Sequence, residues 1–64
     1  MDYTLMFMRL PQVEEYTCLS KSTIYRLIDK GEFPKQVYLG ARSVVWVKSH
    51  IDEWCSSKIK DTQS

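Results

Sequence analysis

The apolar residues of this chain change period at Gly31-Glu32-Phe33-Pro34. Ahead of that break, Ile24, Leu27 and Ile28 recur at i, i+3 and i+4, the stripe of one helical face. Beyond it, Val37 and Leu39 alternate with Gln36 and Tyr38, and a β-rich run, Val44-Val45-Trp46-Val47, follows Gly40-Ala41. The chain has 64 residues, room for one small domain but not for a second lobe or a deep two-walled cleft. A helical half joined to a stranded half within residues 1–64 therefore predicts a small α+β fold.

Helix starts and stops refine this. Pro11 suits the first position of a helix, where its missing N–H costs nothing. Leu10, Val13 and Tyr16 or Thr17 then share one side, with Glu14 and Glu15 facing water. That segment ends near Thr17 or Cys18 and is too short to be stable alone. Cys18-Leu19-Ser20 reads as a turn, with Ser20 as N-cap of a second helix. Gly31 suits the left-handed position that stops this helix, and Pro34 keeps Phe33 extended. Gly40-Ala41 predicts either a type II′ hairpin or a longer loop through Ser43, with Arg42 and Ser43 at the tip. Ser49 with Asp52 three residues on imitates a capping box for a third helix, whose apolar face is Ile51, Trp54, Cys55 and Ile59. Residues 1–8 lack helical periodicity; Tyr3–Met8 forms either a short strand or an adhering arm. Residues 60–64 read as a polar tail that frays. Helix, tight turn, helix, hairpin, helix is the order of a helix-turn-helix with a wing.

The charges are unevenly spread. From Ser20 to Lys48, six basic residues stand against two acidic ones, a balance of +4; the rest of the chain holds three basic and six acidic residues, or −3. A basic middle between acidic ends is one face for a polyanion, or a solvated mixed surface. Helix 2 turns Lys21, Ser22, Thr23, Tyr25 and Arg26 away from its apolar stripe. Arginine can read guanine O6 and N7 in the major groove, and serine and threonine can meet bases or phosphates. The helix N-terminus near Ser20 adds backbone N–H donors for a phosphate. Arg42 and Ser43 on the wing, and Lys35 after Pro34, are candidates for backbone or minor-groove contact. Phe33, Trp46 and Trp54 fall on apolar faces or junctions and read as core.

Other classes find no support. Cys18, Cys55 and the single His50 do not make a zinc site, and two distant cysteines do not make a disulfide-rich scaffold. The reading is free thiols in a reducing cytoplasm, the protein being associated with the nucleoid. No apolar run spans a membrane and no signal peptide is visible. Glu14-Glu15 and Asp52-Glu53 are helical neighbours that point apart, so no carboxylate pair forms. No phosphate-binding glycine loop exists, and His50 reads as a surface residue. The chain is expected to be no enzyme and to take no cofactor, metal or small-molecule substrate.

Three strings carry a family resemblance: Arg9-Leu10-Pro11-Gln12-Val13, Leu19-Ser20-Lys21-Ser22-Thr23-Ile24-Tyr25-Arg26-Leu27-Ile28, and Gly31-Glu32-Phe33-Pro34. With Val37-Tyr38-Leu39-Gly40-Ala41-Arg42-Ser43-Val44, Trp46 and Ile51-Asp52-Glu53-Trp54, the sequence over residues 9–55 resembles the AlpA-type phage regulators, relatives of the excisionase-like and MerR-like winged helices. The resemblance implies a DNA-binding regulator of a prophage or genomic island that activates an integrase gene, assists excision, or both. It implies a recognition helix carrying Lys21, Ser22, Thr23, Tyr25 and Arg26, and a wing of Gly40, Ala41 and Arg42. Ala41 stands where many relatives have a second glycine. The expected partner is double-stranded DNA, bound by a self-associating or cooperative protein, with an integrase as a further partner. The alternative is a small module that binds a repressor, an integrase or another regulator without reading DNA.

Overall fold

The computed structural model describes residues 6–63. The elements run β1 (Phe7–Met8), α1 (Leu10–Thr17), α2 (Lys21–Asp29), β2 (Val37–Tyr38), β3 (Val44–Val47) and α3 (Lys48–Gln63). This is the α+β winged helix-turn-helix order, with one strand added in front. That strand resolves the choice at the N-terminal arm: Phe7 pairs with Val47 and Met8 with Trp46, antiparallel. Residues 1–5 of the arm lie outside the described residues. On the other side of β3, Val37 pairs with Val45 and Tyr38 with Val44, giving the order β1-β3-β2.

The core forms where the helices meet the sheet. Val13, Ile24, Trp46 and Ile51 are fully buried, with Met8 and Phe33 nearly so. Each helix thus contributes one apolar residue that touches the central strand's tryptophan cluster. The three aromatics read as core take that role, Trp54 as a half-buried residue packed against it. Leu39 and Ile59 do not: both are exposed. Leu39 falls in the loop after β2, beyond the paired positions. Ile59 follows Ser56, from which point every described side chain of α3 is exposed.

Local signals set most boundaries. Arg9 caps α1, and its N–H donates to Gln12 Oε1 at 2.9 Å; Pro11 therefore sits at the second helical position. Ser20 caps α2, its hydroxyl accepting from Thr23 N–H at 3.3 Å. Gly31, at φ +74°, ends α2: its N–H donates to Ile28 O and Glu32 N–H donates to Leu27 O, the Schellman pair. One choice is resolved and two expectations are corrected. The connection is the longer loop, closed by Leu39 N–H donating to Ser43 O at 2.8 Å. A type II′ turn needs a positive φ at its first central residue, and Gly40 does not have one. Because β3 runs directly into α3, the helix begins at Lys48; Ser49 lies inside it and does not cap it. The segment read as a frayed tail is helical to Gln63; no proline or glycine interrupts it, and Thr62 Oγ1 donates back to Lys58 O.

Cys18 closes α1 at φ +62°, the single positive φ outside glycine among the described residues. A side chain there is strained by about 1–2 kcal/mol relative to glycine, while glycine costs about 0.5–1 kcal/mol in chain entropy. Cys18→Gly should therefore raise stability by about 0.5–1 kcal/mol. A higher urea midpoint at unchanged slope is the expected result; an unchanged or lower midpoint contradicts it.

A surface network that no sequence spacing announced ties α1 to α3. The Tyr16 hydroxyl donates to one Asp52 carboxylate oxygen, and Lys48 Nζ lies 3.0 Å from the other. The hydrogen bond from Tyr16, then that from Lys48, lowers the Asp52 pKa. The same contacts raise those of Tyr16 and Lys48, in each case chiefly through the hydrogen bond with Asp52. A depressed carboxylate pKa stabilises the fold above its unfolded value and loses that contribution as pH falls through the folded value. The raised pKa values of Tyr16 and Lys48 act oppositely, their contribution fading as pH rises through them, above about pH 10. The melting temperature of the native chain should thus fall more steeply below about pH 4 than that of Asp52→Asn. Parallel acid limbs would contradict this.

Candidate nucleic-acid interface

Rotation of α2 decides what the chain can present. Ile24 is fully buried, and Leu27 and Ile28 pack half-buried against the core. At 3.6 residues per turn, Ser22, Arg26 and Asp29 then form one outward line. Lys21, Ser22 and Arg26 are exposed and make no ion pair with another described residue. Asp29, also exposed, closes the line with a negative charge. The first turn and a half of α2 thus presents an outward surface without acidic charge, and its end does not.

The N-terminus of α2 adds donors. The first backbone bond of the helix is Ile24 N–H to Ser20 O at 2.9 Å, so the N–H groups of Lys21 and Ser22 have no acceptor among the described residues. Their position and partial positive charge suit a phosphate oxygen. Ser20 itself is exposed but committed to the cap. Its hydroxyl accepts from Thr23 N–H and donates to Thr23 Oγ1 at 3.0 Å. Thr23 is thereby half-buried and held in the helix start.

Tyr25 departs most from its expected place. It is half-buried, packed against the core, with its ring edge-on to Trp46 at 6.3 Å between centroids. At 100° per residue it borders the apolar stripe, and the bulk of Trp46 pulls its ring in. Its ring helps seat α2 on the sheet, and its hydroxyl makes no hydrogen bond with a described residue.

The loop between β2 and β3 projects Gly40, Ala41 and Arg42 into solvent, with Ser43 half-buried at its neck. No residue of this loop has a positive φ, and a Cβ at Gly40 would meet nothing within 4 Å. Ala41 therefore fits the loop without needing glycine's freedom. Lys35 is exposed between α2 and β2, beside a shallow groove shared with Ile28, Asp29, Gln36 and Tyr38. Of the cations in the basic middle, Lys48 is neutralised by Asp52. Lys30, which sequence reasoning passed over, is exposed at the C-cap of α2.

No helix is long and apolar enough to cross a membrane, and no cluster of metal-ligating side chains forms among the described residues. Cys18 and Cys55 are free thiols, and burial raises the Cys55 pKa.

Comparison with known proteins places this geometry. The family model described as the prophage CP4-57 regulatory protein (AlpA) matches residues 6–59. A protein of Enterobacteria phage P4, called uncharacterized protein ORF88, is 49% identical over 53 residues, covering 83% of this chain and 60% of its own length. The chain thus spans about three fifths of that relative's length. The DNA-binding transcriptional activator AlpA of Escherichia coli K12 is 37% identical over 59 residues, covering 83% of this chain and 84% of its own length. The match takes in both helices of the helix-turn-helix, the wing and most of α3, and so the chain belongs to the AlpA family of prophage regulatory proteins.

Proposed function

We propose that this chain binds a specific double-stranded DNA sequence and regulates transcription, directs excision of a prophage or genomic island, or does both. The observation that carries this reading is the inward turn of Ile24, which leaves Lys21, Ser22 and Arg26 outward on a short helix with open N–H groups. Arg26 reads a base edge in the major groove; Lys21 and Ser22 meet bases or the adjoining phosphate. Arg42 at the wing and Lys35 hold the flanking backbone, with Ser43 at the neck of the wing as a lesser contact. Ser20 and Thr23 fix the helix start, and Tyr25 fixes its seat. Membership of a family that includes a DNA-binding transcriptional activator supports the same reading.

A module of this size covers about 600–1,000 Å² on DNA. With about four phosphates neutralised, the logarithm of affinity falls with the logarithm of salt at a slope of about −4. So few contacts favour occupancy as a dimer or a cooperative row on repeated sites, with an integrase as a further partner on the same DNA. Selection from a pool of random duplexes tests the reading. A recurrent sequence motif is the expected return; a pool with no enrichment contradicts sequence-specific binding. Tight binding of strictly one copy on a single short site contradicts the self-association.

A further inference from the structure

The chain between α2 and the wing is held in place by side chains, not by its own backbone. Outside the strand pairing, the segment between Glu32, which completes the α2 cap, and Leu39 makes no backbone–backbone hydrogen bond among the described residues. Two indoles take over. Trp54 Nε1–H donates to Glu32 O at 2.8 Å, and Trp46 Nε1–H donates to Pro34 O at 3.1 Å. Between these two carbonyls, Phe33 is buried, its ring edge-on to Trp54 at 4.8 Å. Lys58 Nζ, one turn further along the same side of α3, lies 5.6 Å from the Trp54 ring centroid. The crossing segment is thus gripped by the central strand on one side and by α3 on the other.

Trp46 is the hub of the core, so its loss would be felt everywhere. Trp54 is different: it is half-buried and sits on a helix that carries none of the candidate DNA contacts. Its N–H nevertheless fixes the point from which the chain leaves α2 toward Lys35, β2 and the wing. We propose that Trp54 is a positioning residue for DNA recognition, one that sets the placement of the Arg42 loop relative to the α2 face by holding the Glu32 carbonyl. This rests on the DNA-binding reading above. A duplex groove and its flanking backbone must be met together, so a loosened crossing segment would leave α2 able to dock while the wing loses its registered contact.

Trp54→Phe removes the N–H and keeps most of the ring. The probe is a duplex that the native chain enriches from a random pool, set against a scrambled duplex of equal length at the same salt. Loss of one such hydrogen bond corresponds to roughly a three- to tenfold change. Affinity for the enriched duplex should fall by about that factor, and for the scrambled duplex in like proportion, because Arg42 meets the backbone. The decisive readout is a double-mutant cycle with Arg42→Ala. If Trp54 places the wing, Arg42→Ala must cost less in the Trp54→Phe background than in the native chain. Additive losses would overturn the proposal, as would an unchanged affinity of Trp54→Phe for the enriched duplex. Should Trp54→Phe fail to fold by near-ultraviolet circular dichroism, Pro34→Ala loosens the same segment while leaving both indoles intact. Coupling of that variant to Arg42→Ala supports the proposal, and additivity overturns it. If the native chain enriches no duplex at all, the DNA reading itself fails, a result distinct from additivity in a chain that does select.

Discussion

Trp46→Ala should leave most of the chain unfolded at room temperature. Trp46 is fully exposed to the core and not at all to water: its relative exposure is 0%. It lies on the central strand opposite Met8, receives the edge of Tyr25 from α2, and bonds Pro34 O in the crossing segment. Removing a buried aromatic of this size costs about 3–5 kcal/mol. At roughly 0.05–0.15 kcal/mol per residue, a chain of this length is stable by only about 3–10 kcal/mol. The change also strands the Pro34 carbonyl without its donor. Loss of near-ultraviolet dichroism and of a cooperative urea transition is the expected outcome. A variant that melts cooperatively with a deficit under about 1.5 kcal/mol would show that the sheet and helices are held together elsewhere.

Arg26→Ala should do the reverse, sparing the fold and damaging recognition. The side chain is exposed and makes no ion pair or hydrogen bond with a described residue, so stability should stay within about 0.5 kcal/mol of the native chain. If Arg26 reads guanine, its loss costs about 1–3 kcal/mol of specific binding, roughly five- to 150-fold. Preference should relax at one base pair only. Lys35→Ala is the internal comparison: a lost phosphate contact weakens all sequences alike and lowers the salt slope by about one. Equal, sequence-blind losses at both positions would remove Arg26 from base reading. Regulatory activity that survives loss of both Arg26 and Arg42 would favour an adaptor that acts through protein contacts.

The sequence made α2 legible because several signals agreed there: the Ser20 cap, the Ile24-Leu27-Ile28 stripe and the Gly31 stop all sit at fixed offsets. β1 was harder to see, since a strand of two residues has no period to detect; what creates it is pairing with Val47 and Trp46, forty positions on in round terms. Tyr25 was misplaced for a related reason. Helical geometry puts it at the border of the stripe, and only the position of Trp46 tells which side it joins. Leu39 and Ile59 match an apolar pattern but lie past the end of the packed region, where pattern has no consequence. The two indole bonds to Glu32 and Pro34 were invisible as well. Sequence flagged both tryptophans as core but not where their N–H groups would point.

The outward surface of α2 and the exposed wing are best tested together by following amide resonances of the labelled chain as the enriched duplex is added. The account predicts the largest shifts at Lys21, Ser22 and Arg26 and through Gly40–Ser43, with Lys35 also moving. Tyr16, Asp52 and the exposed end of α3 should remain nearly still. Shifts centred on α1 and α3, with those α2 positions unmoved, would mean that a different face meets DNA.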